Sequence, residues 1–232
     1  MTTHQVVSPG DWTAARLEFL KKEKEFTRAR DALSAARRAL PWEKVEKDYI
    51  FESERGPVTF VDLFAGRGQL IVYHFMFGPD WESGCKSCTF WGDNFARIGV
   101  HLNHRDTNLV LVSRAPLDRL LAYKKRMGWT LSWYSSLGNS FNQDFAVSFT
   151  PEEAAASANN YNFGTQHFGG EEAPGISVFA RDGADIYRTY STYSRGLDML
   201  NGAYNLLDLV PKGRDEEDLS YGMEWLRRRD EY

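Results

Sequence analysis

Three observations predict an α/β sandwich built around a mixed sheet and preceded by one long helix. Apolar residues recur every seven positions at Trp12, Phe19, Phe26, Leu33 and Leu40, in a dense field of Lys, Arg and Glu, which is the pattern of a helix with a narrow apolar stripe. From Tyr49 onward that period stops, and short apolar runs with strand-like and helical spacing alternate between turns. The 232 residues are also 42% hydrophobic and 14% aromatic, with seven Trp, eleven Tyr and fifteen Phe, enough for a sizeable core and incompatible with a disordered chain.

The elements follow in order. Ser8-Pro9-Gly10-Asp11 reads as a helix start, with Ser8 as N-cap and Pro9 in the first helical position, and Pro41 ends the run. Ala15, Ala29 and Ala36 occupy the intervening register, so the stripe suits either a dimerisation arm joining two copies of the chain or a helix laid across its own domain. The arm boundary is placed near Trp42, with residues 1–48 assigned to the N-terminal helical arm. Tyr49-Ile50-Phe51 and Val58-Thr59-Phe60 form a hairpin around Arg55-Gly56-Pro57, and the segment from Leu63 to Gly66 is a short turn. Gln69 to Phe77 is the best central strand. A helix through Phe90 and Phe95 follows, then a strand from Asn108 to Ser113, then a helix opened by Pro116 and closed at Gly128. The loop from Ala154 to Pro174 is long enough to be functional or mobile. Strands Ile176 to Ala180 and Asp185 to Tyr190 flank the turn Arg181-Asp182-Gly183, and Gly196 to Leu207 has helical spacing. The sheet domain spans 49–209, and residues 210–232 read as a charged tail that adds little to the core.

Charge narrows the function classes. With 28 Lys and Arg against 32 Asp and Glu the net charge is -4, so no basic field exists for phosphate backbones and nucleic acid is not an expected partner. No run is long and apolar enough for a membrane span, and the stretch from Met1 to Gly10 is polar rather than signal-like, so a cytoplasmic protein is expected. Gly66-Arg67-Gly68 lacks the Gly-Lys-Ser/Thr of a phosphate cradle, and no GxSxG, HExxH or dinucleotide fingerprint occurs. No organic cofactor is expected.

The two cysteines carry the chemistry. Cys85-Lys86-Ser87-Cys88 stands between the central strand and a helix, the context of a redox pair. Unpaired backbone N–H groups and the helix dipole stabilise a thiolate at a helix N-terminus, and Lys86 adds a cation. The expected roles are Cys85 as nucleophile and Cys88 as resolver one turn later, acting on a disulfide-containing protein or a small thiol substrate. Half of a zinc site and inert packing are the alternatives. His101 and His104, at helical spacing, would complete a four-ligand Cu or Zn set with Cys85 and Cys88 and make the protein a metal-binding or interaction module.

Supporting residues are assigned around the pair. Pro174, before a strand, would as a cis proline bring backbone beside the cysteines, or is an ordinary strand-start proline. His74, alternating onto the face of Leu70, Val72 and Met76, is either a proton partner or a core histidine. Asp80 and Glu82 become proton acceptors if buried. Arg114, ending a strand, is placed to contact a thiolate or an anionic substrate. Trp81, with Trp129 and Trp133, would line an apolar groove or belong to the core.

The strand-CxxC-helix order, the segments Leu111 to Pro116 and Gly128 to Phe149, and the strand hairpin after Pro174-Gly175 resemble the thioredoxin-like superfamily on its peroxiredoxin-related side, over roughly Tyr49 to Leu209. More narrowly, Leu40-Pro41-Trp42, Tyr73-His74-Phe75-Met76-Phe77-Gly78-Pro79, Arg126-Met127-Gly128-Trp129 and Gly213-Arg214-Asp215-Glu216 resemble the bacterial domain-of-unknown-function family eight-nine-nine, nearly end to end. The resemblance implies a thioredoxin-like fold with a dithiol site and no agreed substrate. Cys85 arrives one residue early for a peroxidatic cysteine, and Lys86-Ser87 replace the Gly-Pro of thioredoxins, so neither peroxidase activity nor a redox potential carries over.

Overall fold

A computed structural model describes residues 4–156 and 158–232, and the chain divides into two units, Met1–Pro41 and Trp42–Tyr232. The first unit is helix α1, Pro9–Arg38, capped by the Ser8 hydroxyl, which accepts the Asp11 N–H at 3.2 Å. It ends two residues short of Leu40. None of its residues is buried, and Trp12, Phe19, Phe26 and Leu33 are each more than half exposed.

The second unit runs β1 (Glu43–Lys44), β2 (Ile50–Ser53), β3 (Gly56–Thr59), a 3-10 turn, β4 (Gln69–His74), α2 (Lys86–Phe95), α3 (Gly99–His104), β5 (Thr107–Ser113), α4 (Leu117–Met127), β6 (Ser132–Ser135), α5 (Phe141–Asp144), α6 (Pro151–Ala155), a second 3-10 turn, β7 (Gly175–Asp182), β8 (Asp185–Tyr193), a third 3-10 turn and α7 (Gly202–Leu207). The eight strands form one sheet in the order β1-β8-β7-β4-β5-β6-β2-β3. Because β1 pairs with β8 and Glu43 with Arg188, residues 42–48 belong to the sheet unit, and the boundary lies at Pro41 rather than at residue 48.

The fold is thioredoxin-like. Strand β4 leads into α2, β5 lies parallel to β4, and the β7–β8 hairpin lies antiparallel on the other side of β4, giving β5-β4-β7-β8 at the centre. Parallel pairing demands crossovers, supplied by α2 and α3 between β4 and β5 and by α4 between β5 and β6. Gly128 closes α4 at φ +66°, a left-handed cap that costs glycine little. Strand β6 had no sequence assignment: four residues between a helix cap and a turn are too few to show a period.

Alternation along β4 and β5 sorts the core into two faces. Tyr73, Leu109 and Leu111 face a cluster with Phe75, Trp91, Phe95, Trp133 and both cysteines. Leu70, Val72, Val110 and Val112 face the opposite cluster with Phe51, Phe60, Phe141 and Phe179.

The tail is not the surface appendage its charge suggested. Leu226 is fully buried, and Met223 and Trp225 pack against the cysteine-bearing cluster. Their hold is polar as well: Glu216 accepts from Tyr204 Oη at 2.9 Å, Met223 N at 2.8 Å and Trp225 Nε1 at 2.7 Å. Leu226→Ala is expected to cost about 2–5 kcal/mol, from lost transfer energy and the cavity left behind. It would appear as a lower urea midpoint at unchanged slope; an unchanged midpoint would mean that the tail is not part of the cooperative unit.

Candidate active site

The path from β4 to α2 fixes both thiols. Cys85 is the N-cap of α2, and Met76 holds the pair from below: its carbonyl accepts Cys85 N–H at 3.1 Å, and its N–H points to Cys88 Sγ at 3.4 Å. Gly84 permits this return, since a Cβ there would lie 2.7 Å from Phe75 Cε1 and 3.1 Å from Tyr123 Cε1. The Thr89 N–H and hydroxyl both donate to Cys85 O, at 3.0 and 2.8 Å, locking the first turn. Cys85 is part-exposed, Cys88 is buried, and both are free thiols.

Their environments push the two acidities apart. The Cys88 side chain hydrogen-bonds Cys85 and, against an opposing burial effect, brings the Cys85 thiol from its ordinary 9.0 down to about 6, with help from the N–H groups of Cys88 and Ser87 and from the Ser87 side chain. Burial first, then the neighbouring Cys85, pushes Cys88 well up. Beneath Cys88 lies Tyr73, fully buried, its hydroxyl without a hydrogen-bond partner and raised well above an ordinary phenol by burial and then by Cys88. Since proximity to a thiol need not mean a good hydrogen bond, Tyr73 and Cys88 are best described as neighbours.

Several supporting residues stand elsewhere than expected. The ammonium of Lys86 donates to Glu224 O at 2.8 Å and lies over the Tyr221 ring at 5.9 Å, so it serves the tail and is not among the main causes of Cys85 acidity. His74 sits on the opposite sheet face, its ring against Phe141 and Phe145 and its Nε2 2.9 Å from Ser177 Oγ. A sheet layer separates it from Cys88, which corrects the proton-partner reading and keeps the core-histidine one. Asp80 and Glu82 are exposed, which removes the burial their acceptor role required. His101 and His104 are exposed on α3, beyond the far end of α2; ten residues of helix put roughly 15 Å between the ends of α2. No group of three or more metal-ligating side chains occurs among the described residues, so the four-ligand set is not assembled.

Arg114 has a partner that sequence reasoning missed. Its Nη1 lies 2.9 Å from Glu172 Oε1, and Glu172 Oε2 accepts from Ser148 Oγ at 2.6 Å. Burial outweighs both partners and lifts the Glu172 carboxyl to about 7. Arg114 is therefore committed to a buried carboxylate instead of a thiolate. Trp81 packs at the edge of the cysteine cluster, with Arg119 Nη1 donating to its carbonyl at 3.0 Å, whereas Trp129 and Trp133 are buried core residues.

Pro174 does lie beside the pair, in the wall of a cavity of about 190 Å³ that also includes Ser87, Cys88, Tyr73 and Tyr161. No cis peptide occurs among the described residues, so the cis expectation is corrected. Approach is achieved otherwise: Ala173 N–H donates to Val147 O at 2.9 Å and Tyr161 Oη to Pro174 O at 2.8 Å, pinning a trans proline at the head of β7. The Ala154 to Pro174 segment thus contributes Tyr161, Gln166 and Phe168 to the site's wall.

The family model described as bacterial protein of unknown function (DUF899) matches residues 1–232. No curated protein matches this chain. Solved structures similar to it include the peroxidoxin BcpB from Mycobacterium tuberculosis, at 12% identity and TM-score 0.45 over 68% of this chain and 92% of that one. A cysteine variant of Xylella fastidiosa PrxQ has 10% identity and TM-score 0.46 over 71% and 94%. The Xanthomonas campestris bacterioferritin comigratory protein has 14% identity and TM-score 0.42 over 66% and 88%.

Proposed function

The chain belongs to the bacterial family of proteins of unknown function DUF899, and from the division of acidity between its two thiols we propose that it is a thiol-disulfide oxidoreductase with Cys85 as nucleophile and Cys88 as resolver. One observation carries this reading: an acidic, part-exposed thiol caps a helix, while a buried thiol of raised pKa lies one turn inside it. Exchange needs that asymmetry, because the attacking sulfur must be a thiolate at working pH and the resolving one must stay protonated until the mixed disulfide forms. Cys85 attacks one sulfur of the substrate disulfide and expels the other as a thiolate. Loss of its proton then lets Cys88 attack Cys85 Sγ, closing the protein disulfide and releasing the second substrate thiol. No metal enters the scheme, and a cytoplasmic setting would keep the pair reduced between turnovers.

No helix among the described residues is long and apolar enough to cross a membrane. Equilibration in glutathione buffers, with free thiols counted by the mass added on alkylation, tests the proposal. Both thiols are expected to disappear in one two-electron step at a potential of about -200 to -270 mV. Thiols that stay free throughout, or that take up glutathione singly without pairing, would overturn it.

A further inference from the structure

The C-terminal segment 221–228 passes over the turn that carries Cys85 and is hydrogen-bonded on both sides of it. Arg228 donates Nε and Nη2 to Gly84 O at 3.2 and 3.1 Å, and Lys86 donates to Glu224 O at 2.8 Å. Between these two anchors Trp225 packs on the cysteine cluster, as does Met223 just before them, and the buried Leu226 fixes the segment from beneath. Its far end is fastened to α4, where Arg126 meets Asp230 at 2.6 Å and Glu231 at 3.0 Å. An extended peptide of a protein substrate would need backbone contacts along such a turn, and here Arg228 already takes the carbonyl of Gly84 beside Cys85.

What remains is the cavity of about 190 Å³ against Cys88, whose apolar wall includes Tyr73, Met76, Trp91, Tyr161, Phe168 and Met223; Cys85 does not line it and meets it through the hydrogen bond between the two thiols. A cavity of roughly 150 Å³ accepts a benzene ring, so this one fits a single aromatic ring or a short alkyl group and is too small for a polypeptide loop. Met223 belongs both to the strap and to the cavity wall, so the element that covers the turn also shapes the pocket.

We propose that the strap 221–228 is the specificity-determining element of the thiol site, admitting low-molecular-weight apolar disulfides and excluding the disulfides of folded proteins. This rests on the dithiol reading above. The step balances as protein dithiol plus RS–SR giving protein disulfide plus two RSH: the Cys85 thiolate breaks the substrate S–S bond, Cys88 breaks the mixed disulfide, and the two protons lost by the cysteines end on the two RSH molecules.

The test uses the full-length reduced protein with two oxidants, 2,2′-dithiodipyridine as the small aromatic disulfide and insulin as the protein disulfide, reading the rate at which both cysteines are lost to alkylation. Arg228→Ala, which frees Gly84 O, is expected to raise the insulin rate at least tenfold and to change the dithiodipyridine rate several-fold less than that. Met223→Trp, or Phe168→Trp should the first fail to fold, is expected to lower the dithiodipyridine rate at least tenfold at an unchanged circular dichroism spectrum. Equal acceleration of both oxidants by Arg228→Ala, an unchanged insulin rate, or a filled cavity that reacts like the wild type would each overturn the inference while leaving the dithiol reading standing. A wild-type protein that forms no Cys85–Cys88 disulfide with either oxidant would instead sink that reading, and the inference with it.

Discussion

Cys85→Ser is expected to abolish the two-electron couple outright, whereas Cys88→Ser keeps attack and accumulates a mixed disulfide with substrate. The difference follows from burial: with Cys85 gone, the remaining thiol is almost fully enclosed and has its pKa raised by that enclosure, so it stays protonated and does not attack a disulfide entering the cavity it lines. Retained turnover in Cys85→Ser would refute the assignment. Cys88→Ala gives a finer result. The Cys88 side chain is the largest cause of the lowered pKa of Cys85, and a hydrogen bond to a charged group contributes about 1.5–3 kcal/mol, which is roughly one to two pH units. The midpoint of Cys85 alkylation by iodoacetamide should therefore move from about 6 up by that amount in Cys88→Ala, and by less in Cys88→Ser, where a donor remains. The midpoint is the quantity to read. Rates at one pH mislead, because a more acidic thiol is also a weaker nucleophile.

The parts of this site that could be read from the sequence are those written in local order. Cys85 and Cys88 declare themselves through four consecutive residues between a strand-like run and a helical one, and the lowered pKa follows from that position, although its first cause is the partner thiol and not Lys86. The central strands were legible for the same reason, since Gln69–His74 and Thr107–Ser113 carry continuous apolar runs of strand length, as strands buried on both faces do. The contacts between segments distant in sequence were hidden. Arg114 and Glu172 are 58 positions apart, and no pattern in either stretch announces the other. Arg228 and Gly84 are 144 apart. The tail offered one signal that charge outweighed: Met223, Trp225 and Leu226 are three large apolar residues within four positions, an unusual cost to leave in water. His74 shows the opposite case: alternation put it correctly beside Leu70 and Val72, whereas Met76, beyond the end of β4, packs on the cysteine side, and the location of the cysteines on that other face was missing.

Acid should expose that histidine as the largest single electrostatic liability of the fold. Burial alone lowers its pKa from 6.5 to about 3; the ring packs against both Phe141 and Phe145, and its Nδ1 has no hydrogen-bond partner. A folded pKa below the unfolded one means that between pH 6.5 and 3 the unfolded chain binds a proton the native state refuses. The stability associated with His74 is therefore whole above pH 6.5 and is lost as the pH falls toward 3, by up to about 5 kcal/mol for a shift of this size. Glu172 acts with the opposite sign. Its carboxyl is raised from 4.5 to about 7, so the native state holds a proton the unfolded chain releases, and stability grows as the pH falls through that window, by up to about 3 kcal/mol. The two effects overlap between pH 6.5 and 4.5 and partly cancel, so the wild-type stability curve alone cannot separate them. The difference between wild type and His74→Gln can, because Glu172 is common to both. That difference is expected to be flat above pH 7 and to swing toward the variant by several kcal/mol between pH 6 and 3.5, measured as urea unfolding free energies at fixed ionic strength. A difference that stays constant across this range would mean that the imidazole titrates normally and that the ring is not sealed in the core.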